Sequence, residues 1–186
     1  LALELPNLKI SGNYFNVFPD GKTFLDIDAA RAELEATGRG GSDASVESIE
    51  NGRFTENTVI GTDGDGKSDA NERNIIAHSS YSHDIELYSN STNLVVAGNY
   101  FGVGVDGVTE QPVLGTAVPN FVNPGGSGSV RIGSNGDGVS DHWEGNLIYN
   151  VPGTRFVEAG GGVLITARGN KMVNNGFAAF PFLDGA

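Results

Sequence analysis

The chain has 186 residues, of which 38% are hydrophobic and 28 are glycine, and it contains no cysteine. That length suits a single domain, and the formal net charge of −12 argues against a nucleic-acid partner, because phosphate contact needs a basic face. The missing thiols exclude disulfides, thiolate metal sites and a cysteine nucleophile. The longest apolar run, Phe177 to Leu183, is too short to cross a membrane as a helix.

Short apolar segments bounded by Gly, Asn or Asp recur along the chain and predict strands of about three to five residues. In chain order they are Leu8-Lys9-Ile10, Thr58-Val59-Ile60, Asn74-Ile75-Ile76, Leu94-Val95-Val96, Val130-Arg131-Ile132, Leu147-Ile148 and Val163-Leu164-Ile165. Between them, turn-forming residues dominate, and these residues are unfavourable inside helices. The expected fold class is therefore all-β.

One segment interrupts this pattern and predicts a short helix over residues 28–37. Asp26 or Asp28 is a candidate N-cap, and Gly38 is placed to end the helix. Together with a loop that runs to residue 45, the helix forms an insertion over residues 26–45 in one domain that spans residues 1–186. A second loop is predicted over residues 120–129.

The chain also repeats itself in two units. The segment 60–76 matches 132–148 at an offset of 72, with ten of 17 positions identical, and the segment 8–23 matches 94–109 at an offset of 86, with nine of 16 identical. A worn copy of the second unit is predicted at residues 169–172. Self-similarity on this scale is typical of solenoids, in which each unit stacks on the one before it.

Stacked coils of about 20–25 residues, six or seven in all, would account for this length. Strands of successive coils then pair in parallel, and like residues such as Phe15 and Phe101 form inward ladders. Asn13 and Asn99 fall at the bend after a strand, where asparagine tolerates the left-handed conformation and can bond to the asparagine of the next coil.

The repeated motifs resemble those of right-handed parallel β-helix repeat proteins, in particular the secreted bacterial kind with GNYIGTD and RIGTNGDGVSDAxERNVISGN repeats. The matching segments are Gly98 to Gly102, Arg131 to Asp141 and Glu72 to Ile76, and the resemblance covers most of residues 8–23, 54–109 and 129–175. It implies a right-handed parallel β-helix with one helical insertion near residues 28–37, in an extracellular or cell-surface protein. Such folds carry both enzymes and inert stalks, so the resemblance says little about activity.

Each copy of the first unit contains an acidic loop. The first acidic loop (residues 63–72) has Asp63, Asp65, Asp69 and Glu72, and the second acidic loop (residues 135–144) has Asn135, Asp137, Asp141 and Glu144 at the same spacing. Calcium takes six to eight hard oxygen ligands from a chain that glycine allows to curl, so both loops are predicted to bind Ca²⁺, the second more weakly. The run is similar to the calcium loops of thrombospondin type 3 repeats. The alternative is that the Asp-Gly and Asn-Gly pairs only form turns.

Residues 78–88 hold the only candidates for catalysis. On a strand, Asp84 and Glu86 would point outward, with Ile85 between them pointing inward, and His83 and His78 lie nearby in sequence. Such a face would offer an acid and a base, but a solvated outer face of a coil is the favoured interpretation. The charge of −12 also argues against a lyase that acts on acidic polysaccharides.

The sequence therefore favours an extracellular structural scaffold stabilised by calcium over an enzyme. Because the chain starts at Leu1 and its first repeat begins almost at once, it is expected to be a fragment of a longer solenoid or to stack end to end into a filament. The alternatives are a carbohydrate-active lyase or hydrolase, or a glycan-binding module, either with a polysaccharide partner. Trp143, beside His142, either stacks on a sugar ring or covers the edge of the core.

Overall fold

The architecture is all-β, as predicted. A computed structural model describes residues 2–3, 6–38, 49–51, 56–78, 84–87, 92–112, 122–124, 128–150 and 163–173. In chain order the strands are β1 (Ala2–Leu3), β2 (Lys9–Ile10), β3 (Tyr14–Phe15), β4 (Ile49–Asn51), β5 (Val59–Gly61), β6 (Ile75–Ile76), β7 (Ile85–Leu87), β8 (Leu94–Ala97), β9 (Tyr100–Phe101), β10 (Val122–Pro124), β11 (Gly128–Gly133), β12 (Leu147–Tyr149), β13 (Val163–Arg168) and β14 (Lys171–Val173). Helical structure in the described residues comprises α1 (Ile27–Ala36), α2 (Asp141–Glu144) and a 3₁₀ turn at Asp69–Asn71.

The strands form three parallel sheets. In spatial order, sheet A contains β1, β4, β7 and β10, sheet B contains β2, β5, β8, β11 and β13, and sheet C contains β3, β6, β9, β12 and β14. From β1 to β12 the chain visits sheets A, B and C in the same order four times, and we call one such passage a circuit. The last described strands, β13 and β14, continue the order in sheets B and C. In sheet B, Val96 pairs with Ile60 on one side and with Ile132 on the other. Residues 72 apart in the repeat therefore lie two circuits apart in one column.

The hydrophobic core is built from columns of all three sheets. Ile10, Ile60, Val96 and Ile132 come from sheet B, Ile76, Phe101 and Ile148 from sheet C, and Ile49 and Ile85 from sheet A. Each is at most 6% exposed, and burial of one such side chain contributes about 1.5–3 kcal/mol. Successive sheet A strands start 36 to 47 residues apart, so the predicted coil length of 20–25 residues is wrong. The first circuit includes α1 and the second includes the first acidic loop.

An asparagine ladder follows the corner between sheets B and C. Its members are Asn13, Asn74, Asn99, Asn146 and Asn170, and the Oδ1 atom of each later member accepts a hydrogen bond of 2.9 to 3.2 Å from the backbone N–H of the member one circuit before. The Nδ2 atoms of the last four donate to backbone carbonyls near the end of a sheet B strand one circuit away. The predicted bonding between asparagines of successive coils is confirmed.

A second ladder, which the sequence analysis missed, lies at the corner between sheets A and B. Asn57 donates from Nδ2 to Oδ1 of Asn7 at 2.9 Å, and Asn93 donates in the same way to Asn57 at 3.0 Å. All three residues have φ between 54° and 58°, in the left-handed region that asparagine tolerates better than most residues. Left-handed asparagines also follow two sheet C strands, at Asn16 and Asn150, whereas the members of the ladder between sheets B and C do not have positive φ.

The predicted helix is confirmed as α1. The Asp26 carboxylate caps it by accepting a hydrogen bond of 2.9 Å from the backbone N–H of Ala29, and Gly38 follows it with φ of 67°. Residues 39–45 of the predicted insertion lie outside the described residues. The loop predicted over residues 120–129 is wrong in part, because β10 and the start of β11 lie there. Neither helix within the described ranges is long and apolar enough to span a bilayer.

Candidate functional site

The first acidic loop is closed by its own backbone and by one buried carboxylate. Asp69 is 5% exposed; its Oδ1 accepts from the Thr62 hydroxyl at 2.8 Å and its Oδ2 from the backbone N–H of Gly66 at 3.1 Å. Asp65 accepts from the backbone N–H of Lys67 at 2.8 Å. These contacts are those of turn-forming side chains, which satisfy backbone donors that the turn leaves unpaired.

A lysine from the preceding circuit bridges the other two carboxylates of this loop. The Nζ atom of Lys9 donates to Oδ2 of Asp63 at 2.6 Å and to Oε1 of Glu72. Burial on its own would lower the pKa of Lys9, but the hydrogen bonds to Asp63 and Glu72 raise it above its ordinary value. The bond from Lys9 in turn lowers the pKa of Asp63. Lys9 therefore remains a cation, and it lies between two acids that the sequence assigned to calcium.

The second acidic loop repeats the turn contacts of the first. Oδ1 of Asp141 accepts from the Ser134 hydroxyl at 2.6 Å and Oδ2 accepts from the backbone N–H of Gly138 at 3.0 Å. The Ser134 hydroxyl and the backbone N–H groups of Gly138 and Gly136 lower the pKa of Asp141. Asp137 accepts from the backbone N–H of Val139 at 2.7 Å, and its other oxygen accepts from Nδ2 of Asn135 at 2.9 Å.

The last acid of the second loop is buried and paired with arginine. Glu144 is fully buried, and its Oε1 accepts from Nη1 of Arg131 at 2.9 Å. Its Oε2 accepts from the backbone N–H of Asn135 at 3.0 Å. Arg131 lies on β11, the strand that leads directly into this loop, whereas Lys9 reaches the first loop from a different circuit.

The two acidic loops contact each other although a circuit separates them. A Cβ atom on Gly64 would lie 2.2 Å from Oε1 of Glu144, so the first loop packs its backbone directly on the buried acid of the second. The short turn at Gly98, between β8 and β9, lies between the two loops. The Gly98 N–H donates to the backbone carbonyl of Glu144 at 2.6 Å. The loops and the short turn thus form one packed unit.

Three carboxylates of the first loop are close enough to share one cation. One oxygen from each of Asp63, Asp69 and Glu72 lies within 4.8 Å of the others. Carboxylate oxygens are the kind of ligand that calcium takes. As arranged, however, these residues do not fit a calcium ion, because both oxygens of Asp69 accept hydrogen bonds and the Lys9 ammonium bridges the other two acids. A divalent cation would have to displace that ammonium. Calcium binding therefore stays a prediction, alongside the turn-only alternative.

The catalytic candidates occupy a different environment from the predicted outer face. Asp84 is fully buried and His78 is 5% exposed, and Nδ1 of His78 lies 2.5 Å from Oδ2 of Asp84. Asp84 precedes β7 and points into the protein, so its predicted outward orientation is wrong. His83 and the side chain of Glu86 lie outside what the structure describes. A substrate in solvent has no access to the pair that is described.

Trp143 lies over the side chain of a neighbouring arginine. Its indole is 37% exposed, with the His142 ring centroid 4.8 Å away. The guanidinium carbon of Arg73 is 3.9 Å from the centroid of the Tyr100 ring and 5.8 Å from that of Trp143. Cation–π contact therefore fixes Arg73 between the two aromatic side chains, and Trp143 remains partly exposed to solvent.

Lys9, Arg131 and Gln111 bond to the candidate site residues, and no sequence pattern predicted these bonds. Lys9 aligns with Val95 in the repeat and Arg131 aligns with Val59, so no repeated charge marks either residue. The side-chain oxygen of Gln111 accepts a hydrogen bond of 2.6 Å from the backbone N–H of His78. No local sequence pattern predicts this contact. Comparison of the chain with models of known protein families, with curated proteins and with solved structures finds no match.

Proposed function

We propose that the chain is a right-handed parallel β-helix that serves as an extracellular structural scaffold. The cyclic order of the three parallel sheets supports the fold, because parallel strands that stack in chain order are what a coiled chain produces. The motif resemblance supports the handedness and the extracellular location.

One observation carries the structural role. The polar groups that would serve catalysis or binding are used to join segments of the chain that are distant in sequence. Lys9 is bonded to Glu72, 63 residues away, and His78 to the carbonyl of Tyr149, 71 residues away. Arg131 is bonded within its own circuit, to Glu144 at the end of the loop that follows its strand. Groups committed in this way stabilise the fold and are not free to act on a substrate.

Paired cysteines test the stacking directly, since the chain has no cysteine of its own. Val59 and Val95 are register partners, about 4.8 Å apart across a sheet, so the variant Val59→Cys/Val95→Cys should form a disulfide under mild oxidation. Lys9 pairs with Val59 and not with Val95, so Lys9→Cys/Val95→Cys is the matched control and should stay reduced. Equal oxidation of both pairs would contradict the stacked arrangement.

End-to-end association is the second part of the proposal. The strands β2 and β13 are the outer strands of sheet B within the described residues, and parallel edges of this kind pair readily with another chain. Electron microscopy of the purified chain should show rods longer than one molecule. Isolated single particles that also turn over glycans would overturn the scaffold role.

Glycan binding is the second candidate function, favoured by the solvent-facing Trp143 and by a shallow groove on sheet B. The groove is lined by Asn93, Leu94, Val95, Ser129, Val130, Arg131, Leu164 and Thr166. Affinity electrophoresis against neutral and uronate-containing polysaccharides tests it. Retardation that disappears in Trp143→Ala and persists in Val108→Ala, another exposed apolar residue, would support this function, and no retardation would remove it.

A further inference from the structure

His78 joins three circuits at the corner where sheet C leads to sheet A. The residue follows β6, while Asp84, whose carboxylate lies 2.5 Å from Nδ1, precedes β7 of the next circuit. The other ring nitrogen, Nε2, contacts the backbone carbonyl of Tyr149 in β12, one circuit further on. The ring lies against Gly102, where a Cβ atom would be 2.3 Å from Nε2. The imidazole therefore spans a gap that a glycine leaves open.

Both ring nitrogens face hydrogen-bond acceptors. A carboxylate and a backbone carbonyl have no proton to give, so each bond needs an N–H from the ring. Neutral imidazole carries only one N–H, and in that form one of the two nitrogens would face an oxygen lone pair. The geometry is complete only for the doubly protonated ring, with Asp84 as its counter-ion.

The other described side chains around His78 at this corner are neutral amides, and the nearest further carboxylate is bonded to one of those amides and not to the ring. Gln111 bonds to the backbone N–H and carbonyl of His78 at 2.6 and 3.2 Å. Asn150 donates to the carbonyl of Gln111 at 3.2 Å and to the carboxylate of Glu110 at 3.1 Å. Among the described residues, the ring is in direct contact with the charged group of Asp84. Glu110 is linked to this corner through Asn150 and Gln111, and the Tyr149 phenol donates to Gly107 at 3.5 Å.

We propose that His78 is a proton-dependent latch that holds three circuits together while its ring is doubly protonated and releases this corner when the pH rises. Loss of one proton removes the ion pair with Asp84 or the bond to Tyr149, and it leaves a ring lone pair facing a buried acceptor in place of a hydrogen bond. The released state is a local opening of the corner between sheets C and A, with the asparagine ladders of the other corners unaffected, because asparagine does not titrate.

The direction of the pH dependence follows from the same contacts. Burial on its own would lower the pKa of His78, but the charge and hydrogen bond of Asp84 and the Tyr149 carbonyl outweigh it, so the pKa is raised above the ordinary value of 6.5. The stabilisation is then fully present below about pH 6.5, and it is lost as the pH rises through the higher folded value.

Two measurements on the full chain test the latch. The first is an NMR titration of the histidine Cε1–H resonances, with His78 identified by its loss in His78→Gln; its midpoint is expected above about 6.5. The second is the melting temperature between pH 6 and 9, which should fall by about 3 °C or more in the wild type and stay flat in His78→Gln. His142→Gln is the matched control, because His142 is exposed, and it should follow the wild type.

Each outcome decides the proposal. A midpoint at or below about 6.5, or a His78 resonance that does not titrate before the chain unfolds, would overturn it. So would a fall in melting temperature of equal size in the wild type and in His78→Gln. If His78→Gln does not fold, His83→Gln and His142→Gln identify the His78 resonance by elimination, and the wild-type midpoint decides alone.

Discussion

In the first acidic loop, Glu72 pairs with Lys9 from the preceding circuit. In the second acidic loop, Glu144 pairs with Arg131 on β11, the strand that leads into that loop. The side chain of Glu72 is 16% exposed and Lys9 is 35% exposed, while Glu144 is fully buried beside an Arg131 that is 20% exposed. The first pair sits close to water, and the second is enclosed by protein. Loops that share six of ten residues thus carry ion pairs of different energetic weight, because the surrounding residues set the burial.

The contrast teaches that a repeated motif fixes a turn and not its environment. Asp69 and Asp141 make the same contacts, each with the hydroxyl of the first residue after a sheet B strand and with a glycine N–H. Those contacts are local in sequence. The glutamate at the end of the first loop bonds Lys9 from another circuit, whereas Glu144 bonds Arg131 of the preceding strand and the Asn135 N–H of its own loop, and there the two copies differ.

The largest expected difference concerns a glycine in each loop. Gly64 and Gly136 both have positive φ, of 75° and 73°, so alanine costs each about 1–2 kcal/mol in backbone strain. At Gly64 the added Cβ also meets the buried Glu144, whereas at Gly136 it meets the end of the exposed Arg168 side chain, which can move away. Gly64→Ala should therefore lose about 3 kcal/mol of unfolding free energy in urea and Gly136→Ala about 1 kcal/mol. Equal losses would mean that the loops do not pack as described.

Removing the charge of the terminal glutamate should give the next largest difference. In Glu144→Gln the new amide NH₂ group must face either the Arg131 guanidinium or the Asn135 N–H. Both partners are donors, so one donor pair is left without an acceptor, and the unfolding free energy should fall by about 2 kcal/mol. Glu72→Gln loses a partly exposed pair with Lys9, worth less than about 1 kcal/mol. Urea unfolding of both variants measures the difference. A cost for Glu72→Gln as large as that for Glu144→Gln would contradict the assigned burial.

Lys9→Met separates the turn role from the metal role of the first loop. The exposed ion pairs themselves contribute only about 0.5 kcal/mol, so the variant should fold and melt close to the wild type in the absence of calcium. With the ammonium gone, Asp63 and Glu72 are free to coordinate a cation, and millimolar calcium should raise the melting temperature of the variant more than that of the wild type. Val59→Met is the control. A chelator-sensitive melting temperature in the wild type would instead support a resident calcium ion.

The smallest effect is expected in acid. The pKa of Asp63 is lowered chiefly by Lys9, and that of Asp141 chiefly by the Ser134 hydroxyl. Each carboxylate contributes stability that is present above the unfolded value of about 3.9 and is lost as the pH falls through its lower folded value. Carboxyl NMR titration of Lys9→Met should move the midpoint of Asp63 upward and leave that of Asp141 unchanged. A shift of both midpoints would mean that the two loops titrate as one unit.

The sequence predicted much of the fold because its signals are local. The apolar segments from Leu8-Lys9-Ile10 to Val163-Leu164-Ile165 each contain strand residues, and α1 begins one residue after its predicted N-cap Asp26. Strand β10 was missed because Val122–Pro124 lies in a stretch rich in Gly, Asn and Pro, where parallel pairing with β7 overrides weak propensity.

The candidate site was predicted less well, because burial there depends on residues far along the chain. Alternation along a strand put Asp84 on the outer face, but this residue precedes the regular part of β7, and the His78 ring draws its carboxylate inward. The acids of the two loops were assigned as ligands from their spacing alone. That spacing is also what a turn needs to pair its own N–H groups, so it does not distinguish the two roles.

The sequence alone determined the order of strands and bends, since apolar alternation and the conformations of Gly and Asn act over a few residues. Tertiary structure alone decided which charges meet. Lys9 and Glu72 are 63 residues apart and His78 and the Tyr149 carbonyl 71 apart, and they become neighbours only when successive circuits stack. Coulomb attraction and desolvation depend on distance and burial in space, quantities that no local pattern of residues contains.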